Sequence, residues 1–176
     1  MERVTAQRVQ GKLKIEFLYI EENLQEIFRL CQTCTEYFYL ETGKAPTLDD
    51  AGNILTELPP NKILSDKHVL GLYNEKTTLI GLIDIVEAYP DAKTWFLGLL
   101  LVDMKYREKG LGKDFFQVVC KCAYECGARF IKIGVIADNH GAQVFWPKLG
   151  FVKEKQVVMD REDGRRNVID VMIKRL

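Results

Sequence analysis

Arg107-Glu108-Lys109-Gly110-Leu111-Gly112 is the stretch whose residue types and spacing could do chemistry. Its two glycines stand between a charged loop and what reads as a helix, with Arg107 and Lys109 beside them. The first turn of a helix has backbone N–H groups without intrahelical partners, and the helix dipole puts partial positive charge at that end. Glycine lets an anion approach such a backbone closely, so the stretch could cradle a phosphate or diphosphate. The same pattern also serves a glycine-punctuated helix start with a solvated basic loop, and the stretch alone does not separate the two. Two nucleotide motifs are excluded. The dinucleotide fingerprint requires glycine where Phe115 stands. The mononucleotide loop requires Ser or Thr after Gly-Lys, and Gly112-Lys113 is followed by Asp114.

The elements that must position this turn are legible around it. Leu97 to Val102 is a continuous apolar run of strand length, which suits a strand covered on both faces. Beyond the turn, Leu111, Phe115, Val118, Val119, Cys122 and Cys126 fall on one helical face. Upstream, Lys12 to Ile20 alternates as a half-buried strand, and Glu21 to Leu40 has helical spacing. Thr47 reads as the N-cap of a second helix reaching about Leu58, with Asp50 in its first turn. Lys67–Asn74, Thr77–Glu87 and Thr94–Val102 are strands joined by short turns, hence an antiparallel meander. Arg129–Ala137 is a strand that should run parallel to Thr94–Val102, since a helix joins them. Asn139–Leu149 is a short helix that Pro147 should distort or end early, with Gly150 as its C-terminal glycine. Phe151–Met159 and Asn167–Ile173 are closing strands linked by the charged run Asp160–Arg166.

A second motif lies downstream: Asn139, then Ala142, then Phe145-Trp146 with Gly150-Phe151 after three intervening residues. Together with Arg107-x-x-Gly110-x-Gly112 it resembles the GCN5-related N-acetyltransferases, whose forms are Arg/Gln-x-x-Gly-x-Gly/Ala and Asn-x-x-Ala followed by Phe-Tyr-x-x-x-Gly-Phe. The resemblance spans Lys67 to Leu176. It implies an α/β fold: a mixed, mostly antiparallel sheet of about seven strands, a central strand–helix–strand unit that binds acetyl-CoA, and flanking helices. The two strands of that unit should splay apart, with the coenzyme in the gap. The implied activity is acetyl-CoA-dependent transfer of an acetyl group to a primary amine of a small molecule or peptide, directly within a ternary complex.

Roles follow residue by residue from the resemblance. The backbone N–H of Leu100 would be an oxyanion donor, and Val102 would pair with the pantetheine arm. Backbone groups of Arg107, Glu108, Lys109, Gly110, Leu111 and Gly112, with Lys113 beside them, would hold the diphosphate. Asn139 and Phe145 would complete the coenzyme site, while His140 reads as a surface residue. The segment after the first strand would form the acceptor wall, where Phe38 packs inward and Tyr37 and Tyr39 could line a pocket. No acid occurs in Trp95-Phe96-Leu97-Gly98, so the nearest carboxylates are Asp84 and Glu87. Asp84 interrupts an apolar run, where a carboxylate is costly unless paired or functional, and is the candidate base or amine anchor. Glu87 is a weaker acceptor-site candidate. With Asp91, these acids would suit a cationic amine. The departure from the family is Trp146, which stands where the acid tyrosine would be and cannot deliver that proton. A non-catalytic acyl-CoA-binding or regulatory module is therefore the alternative reading.

Composition bounds the rest. One domain spans 1–176, with 47% hydrophobic residues and zero formal net charge from 25 basic and 25 acidic side chains. Nothing there suggests nucleic-acid binding, and in the Arg161–Arg166 loop Glu162 and Asp163 offset the arginines. No apolar run reaches membrane-spanning length, and Met1-Glu2-Arg3-Val4 has no signal-peptide core. The five cysteines read as reduced thiols in a cytoplasmic protein, with no metal. A homodimer through the closing strands is expected by analogy alone.

Overall fold

The computed structural model describes residues 8–9, 13–161 and 164–176. Met1–Val4, the expected strand start at Lys12, and the Glu162–Asp163 pair lie outside them. The chain runs β1 (Arg8–Val9), β2 (Leu13–Phe17), α1 (Ile20–Gln32), α2 (Thr35–Thr42), α3 (Leu48–Thr56), β3 (Lys67–Tyr73), β4 (Leu79–Val86), β5 (Thr94–Val102), α4 (Leu111–Glu125), β6 (Phe130–Ile136), α5 (His140–Lys148), β7 (Val152–Asp160) and β8 (Arg166–Arg175). The strands form one sheet in the order β1-β2-β3-β4-β5-β6-β8-β7. The seven expected strands are all present, and the two-residue β1 adds an eighth. The meander β2 to β5 is antiparallel, and β5–β6 is parallel as the intervening helix requires.

Two apolar layers sandwich the sheet. On one face, Val69, Leu82 and Leu101 meet Ile27, Leu30 and Cys31 of α1, Cys34 of the link that follows, Phe38 of α2, and Ala51 and Leu55 of α3. On the other, Leu70, Ile83, Ile85 and Leu97 meet Leu111, Phe115 and Val119 of α4. Strand β4 lies mid-sheet and every residue in it is buried. The buried arc of α4 is wider than its periodicity suggests. Phe116 and Ala123 are inside and Cys126 is exposed, because α4 is covered by Trp146 and Phe151 as well as by the sheet.

The expected helix 21–40 is two helices. Thr33 Oγ1 donates to the Leu30 carbonyl at 2.8 Å, and the Cys34 N–H donates to Cys31 O at 2.9 Å. This local hydrogen bonding competes with the helical ladder and turns the chain before Thr35. Helix α3 starts as expected. Thr47 Oγ1 accepts from the Asp50 N–H at 3.2 Å while the Asp50 carboxylate accepts from the Thr47 N–H at 2.7 Å, a complete capping box. Thr47→Ala is expected to cost about 1 kcal/mol, a fall in Tm of roughly 2–4 °C at this chain length, read by thermal denaturation. Pro147 sits inside α5, which ends one residue later at Lys148. Gly150 then takes a left-handed φ of 89°.

Candidate active site

The site begins where β5 and β6 part. Their pairing covers Thr94–Leu97 with Phe130–Ile133 and then stops. Each strand continues, β5 to Val102 along β4 and β6 to Ile136 along β8. A glycine stands at the fork on both sides, Gly98 and Gly134, and both are exposed in the middle of the sheet. Register with β4 shifts at this point, between the Asp84 and Ile85 pairings, so Gly98 is a bulge residue. The expectation of a strand covered throughout therefore fails from Gly98 onward: Leu99, Leu100 and Val102 are half-exposed because no strand closes over them.

Strand alternation tells which backbone groups face the gap. The Asp103 N–H donates to Ile80 O at 2.9 Å, toward β4. Leu101 points the same way, so the backbone groups of Leu100 and Val102 point into the gap. The Val102 carbonyl is engaged there: Arg107 Nε donates to it at 2.8 Å and Cys34 Sγ lies 3.5 Å away. Burial pushes the Cys34 thiol up, so it stays a neutral donor.

The glycine turn lies at the open end of the gap. Glu108 (φ 60°) and Gly110 (φ 79°) are both left-handed, which folds the backbone into a concavity ahead of α4. Nothing lies within 4 Å of where a Gly110 Cβ would be, so the concavity faces open space. Arg107 is different: its N–H donates to Met104 O at 3.3 Å. Among the described residues, the next backbone N–H with a backbone partner is that of Asp114, to Gly110 O at 3.0 Å. Glu108, Lys109, Gly110, Leu111, Gly112 and Lys113 thus present a run of unclaimed donors at the positive end of a helix. The side chains beside them are committed elsewhere. The Arg107 guanidinium is ion-paired with Glu36 of α2. Lys109 Nζ donates to Lys105 O at 3.0 Å and sits 5.3 Å from the Tyr106 ring centre. Gly112 keeps the wall of the gap thin, since a Cβ there would lie 3.5 Å from Phe145 and 3.6 Å from Val102.

Across the gap, Asn139 caps α5, its Oδ1 accepting from the Ala142 N–H at 3.0 Å. His140 is exposed at the helix start. Phe145 is half-buried against Gly112. Trp146 points the other way, 6% exposed, with Phe116, Phe145 and Phe151 rings at 5.4, 4.9 and 5.2 Å. It is a core residue, so its position offers the site no proton donor.

On the α1–α3 face, Asp84 is 8% exposed. Its Oδ2 lies over the bare Gly98, where a Cβ would come within 2.6 Å. Lys67, one strand away, brings Nζ to 2.7 Å from Asp84 Oδ1, and its side chain is 4% exposed. The two form a buried ion pair in which each charge compensates the other. Burial pushes the Asp84 carboxyl up to about 6, with Lys67 pulling against that shift. Tyr37, on α2, is half-buried, its ring edge-on to Phe38 at 5.3 Å. Burial and Glu41 together hold its phenol well above the usual range.

The other acceptor candidates lie elsewhere. Tyr39 is 54% exposed on the outer side of α2. Glu87 turns to the opposite face of the sheet, where its Oε1 is 2.6 Å from His68 Nε2 beside Trp95. Asp91 caps the start of β5, accepting from Lys93 N and Thr94 Oγ1 at 2.9 and 2.8 Å, at the end away from the gap. The acidic cluster expected to favour a cationic amine is therefore not assembled. Sequence reasoning missed Lys67, Glu36, Glu41 and Arg161. Of these only Lys67 left a signal, as a charge opening an apolar strand opposite a run that contains Asp84.

Among the described residues no helix is long and apolar enough to cross a membrane, and no group of His, Cys, Asp or Glu could hold a metal ion. All five cysteines are free thiols. The fold has close counterparts among solved structures. An acetyltransferase from Thermus thermophilus superposes with a TM-score of 0.71 at 21% identity, over 94% of this chain and 97% of that one. The paia N-acetyltransferase of Thermoplasma acidophilum, solved with coenzyme A, gives 0.66 at 21% identity over 93% and 99%. Spermidine N-acetyltransferase from Vibrio cholerae, solved with CoA and spermine, gives 0.70 at 15% identity over 94% and 96%. No curated protein sequence matches the chain. The model of the acetyltransferase (GNAT) family matches residues 21–151, and the chain belongs to that family.

Proposed function

We propose that this protein transfers the acetyl group of acetyl-CoA to a primary amine of a small molecule or peptide, directly, with both substrates bound. The observation that carries this reading is the run of unclaimed N–H donors from Glu108 to Lys113, opening onto a gap between two mid-sheet strands. A diphosphate satisfies such donors, and an extended amide-bearing arm fits unpaired strand backbone. The structural neighbours solved with coenzyme A support the same assignment. The coenzyme supplies the acetyl group as a thioester. The residues supply the rest. The Leu100 N–H meets the carbonyl oxygen as it gains negative charge. The Val102 N–H orients the arm, while its carbonyl is already engaged. Asn139 and Phe145 form the far wall. Asp84, over Gly98, receives the proton of the attacking amine, whose own pKa of ~10 keeps it mostly charged at neutral pH.

Buried Trp146 is the observation that favours the alternative, a module that binds acyl-CoA without turning it over. Calorimetry with acetyl-CoA and desulfo-CoA, followed by thiol release with a panel of amines, separates the two. Binding with turnover supports the enzyme, binding without turnover of any amine supports the module, and no binding sinks both. The reading also places the chain in a reducing cytoplasm, consistent with its free thiols. A homodimer would use the edge strand β7, where Val152, Val158 and Met159 are exposed.

Arg107 acts in this reading as a strut between α2 and the turn. Glu36→Gln and Arg107→Gln are each expected to weaken coenzyme binding by about 2- to 5-fold, the scale of a half-exposed ion pair. The double variant should be no worse than Arg107→Gln alone, because one contact is removed either way. If Arg107→Gln alone also flattens the salt dependence of binding, the guanidinium is a phosphate ligand instead.

A further inference from the structure

We infer that Gly98 is the positioning residue for Asp84. The carboxylate occupies the space that a side chain at 98 would take, and so lies at the fork between β5 and β6. This goes beyond the acetyl-transfer reading above and rests on it.

A glycine inside a strand weakens it, so its presence calls for a reason. Backbone conformation is not that reason. Gly98 is not among the glycines with positive φ, so an L-residue could adopt its backbone. A bulge of the ordinary kind also takes any residue, and only the left-handed kind demands glycine. Space is the reason. A Cβ at 98 would stand 2.6 Å from Asp84 Oδ2 and 3.3 Å from its Cγ. Ordinary contact lies about 1 Å further out than the closer of these. Turning the carboxylate about its own bond exchanges the oxygens but leaves Cγ in place. Moving the whole group is opposed from two sides. Lys67 Nζ holds Oδ1 at 2.7 Å, with both side chains buried. The Asp84 backbone is paired with Val69 on one flank and Leu99 on the other.

The contact differs from tight glycine packing in the core. Gly71 is buried, and a Cβ there would meet methyls of Leu18 and Leu79, each at 2.7 Å. At Gly98 the neighbour is a carboxylate and the glycine itself is exposed. Its place on the strand matters too. Gly98 is the first β5 residue beyond the Leu97–Ile133 pairing, so the carboxylate lies at the mouth of the fork. Leu100, with its N–H in the gap, is two residues on, about 7 Å along the strand. That separation holds a reacting carbonyl at one end and an attacking nitrogen at the other. An alanine at 98 would push the carboxylate out of this spacing without touching the glycine turn at 107–113.

The test measures kcat and coenzyme affinity for the wild type and Gly98→Ala. The substrates are acetyl-CoA with propylamine, phenethylamine and a lysine-containing tripeptide. Gly98→Ala should lose roughly tenfold or more in kcat, the scale of a catalytic group misplaced by about 1 Å. Its acetyl-CoA affinity by calorimetry should stay within about twofold, as for a group that acts only on the chemical step. The substitution is then repeated on the background Asp84→Ala with Lys67→Met, which has neither the carboxylate nor a stranded ammonium. There it should change the residual kcat by no more than about twofold, because nothing is left for the new Cβ to displace. Thermal melts should show the same coupling, with Gly98→Ala lowering Tm in the wild type and not on this background. If Gly98→Ala alone does not fold, folding on the background is the expected result, and failure there too overturns the inference. Equal kcat losses on both backgrounds also overturn it and make Gly98 a requirement of strand geometry. So does a wild-type kcat in Gly98→Ala, and so does a loss of coenzyme affinity that matches the loss of kcat. Each of these leaves acetyl transfer standing. No turnover of any amine by the wild type takes down the acetyl-transfer reading and this inference together.

Discussion

Gly110→Glu should abolish coenzyme binding while the protein still folds. Gly110 holds φ at 79°, a conformation that costs an L-residue about 1–2 kcal/mol. No atom lies within 4 Å of the new Cβ, so backbone strain is the only folding cost. The functional cost is electrostatic. A carboxylate about 5 Å from one phosphate charge, at an effective dielectric of ~20, is repelled by about 3 kcal/mol, a loss on the order of 10²-fold. A diphosphate carries more than one such charge. Gly110→Asn separates charge from geometry, because Asn tolerates the left-handed region and is neutral. Calorimetry should find binding lost in the Glu variant and largely kept in the Asn variant. Equal loss in both would mean that bulk or backbone shape, rather than charge, decides the site. Full binding in both would remove the turn from the coenzyme site.

Asp84→Asn should cost about 10²-fold or more in kcat, the usual worth of a positioned base. In the wild type, kcat/KM should climb with pH through about 6 as the carboxylate forms. The variant should lack that limb. Stability has the opposite sign. The folded carboxyl titrates above its ordinary value, so the protonated form favours folding. That contribution is fully present below about 4 and is lost as pH rises through about 6. Denaturant midpoints should fall across this window in the wild type and stay level in the variant. Removing Asp84 alone strands the buried Lys67 ammonium, a penalty of about 3–5 kcal/mol for a pair so enclosed. The paired change Asp84→Asn with Lys67→Met keeps the interior neutral, and its kinetics are the cleaner reading. If either folded variant turns over within about twofold of wild type at neutral pH, Asp84 is neither base nor amine anchor.

Much of this was written locally in the chain. Thr47 and Asp50 stand three apart and cap α3 by themselves. The change from strand to helix spacing across Gly110-Leu111-Gly112 marks a helix start, and the helix puts donors there regardless of what packs around it. Asn139, Gly150 and the residues between them similarly carry α5 from cap to C-terminal glycine. These depend on neighbours within a turn or two, where periodicity and side-chain reach suffice. What depends on register between distant segments was not legible. Asp84 and Glu87 are close in sequence, yet one faces α1–α3 with Lys67 and the other faces Trp95 with His68. The parting of β5 from β6 was expected from the resemblance, but its level, just past the Leu97–Ile133 pairing, is set by strand register alone. Arg107 read as positive charge beside the turn, and only the placement of α2 shows that Glu36 is paired with it. Trp146 read as the absence of the acid tyrosine, and only packing shows that the indole is part of the core. Sequence determined the elements and the donors that a helix start must leave open. Tertiary structure decided which charges are neutralised, because a carboxylate's partner is chosen by proximity in space, and the spacing of residues along the chain does not contain it.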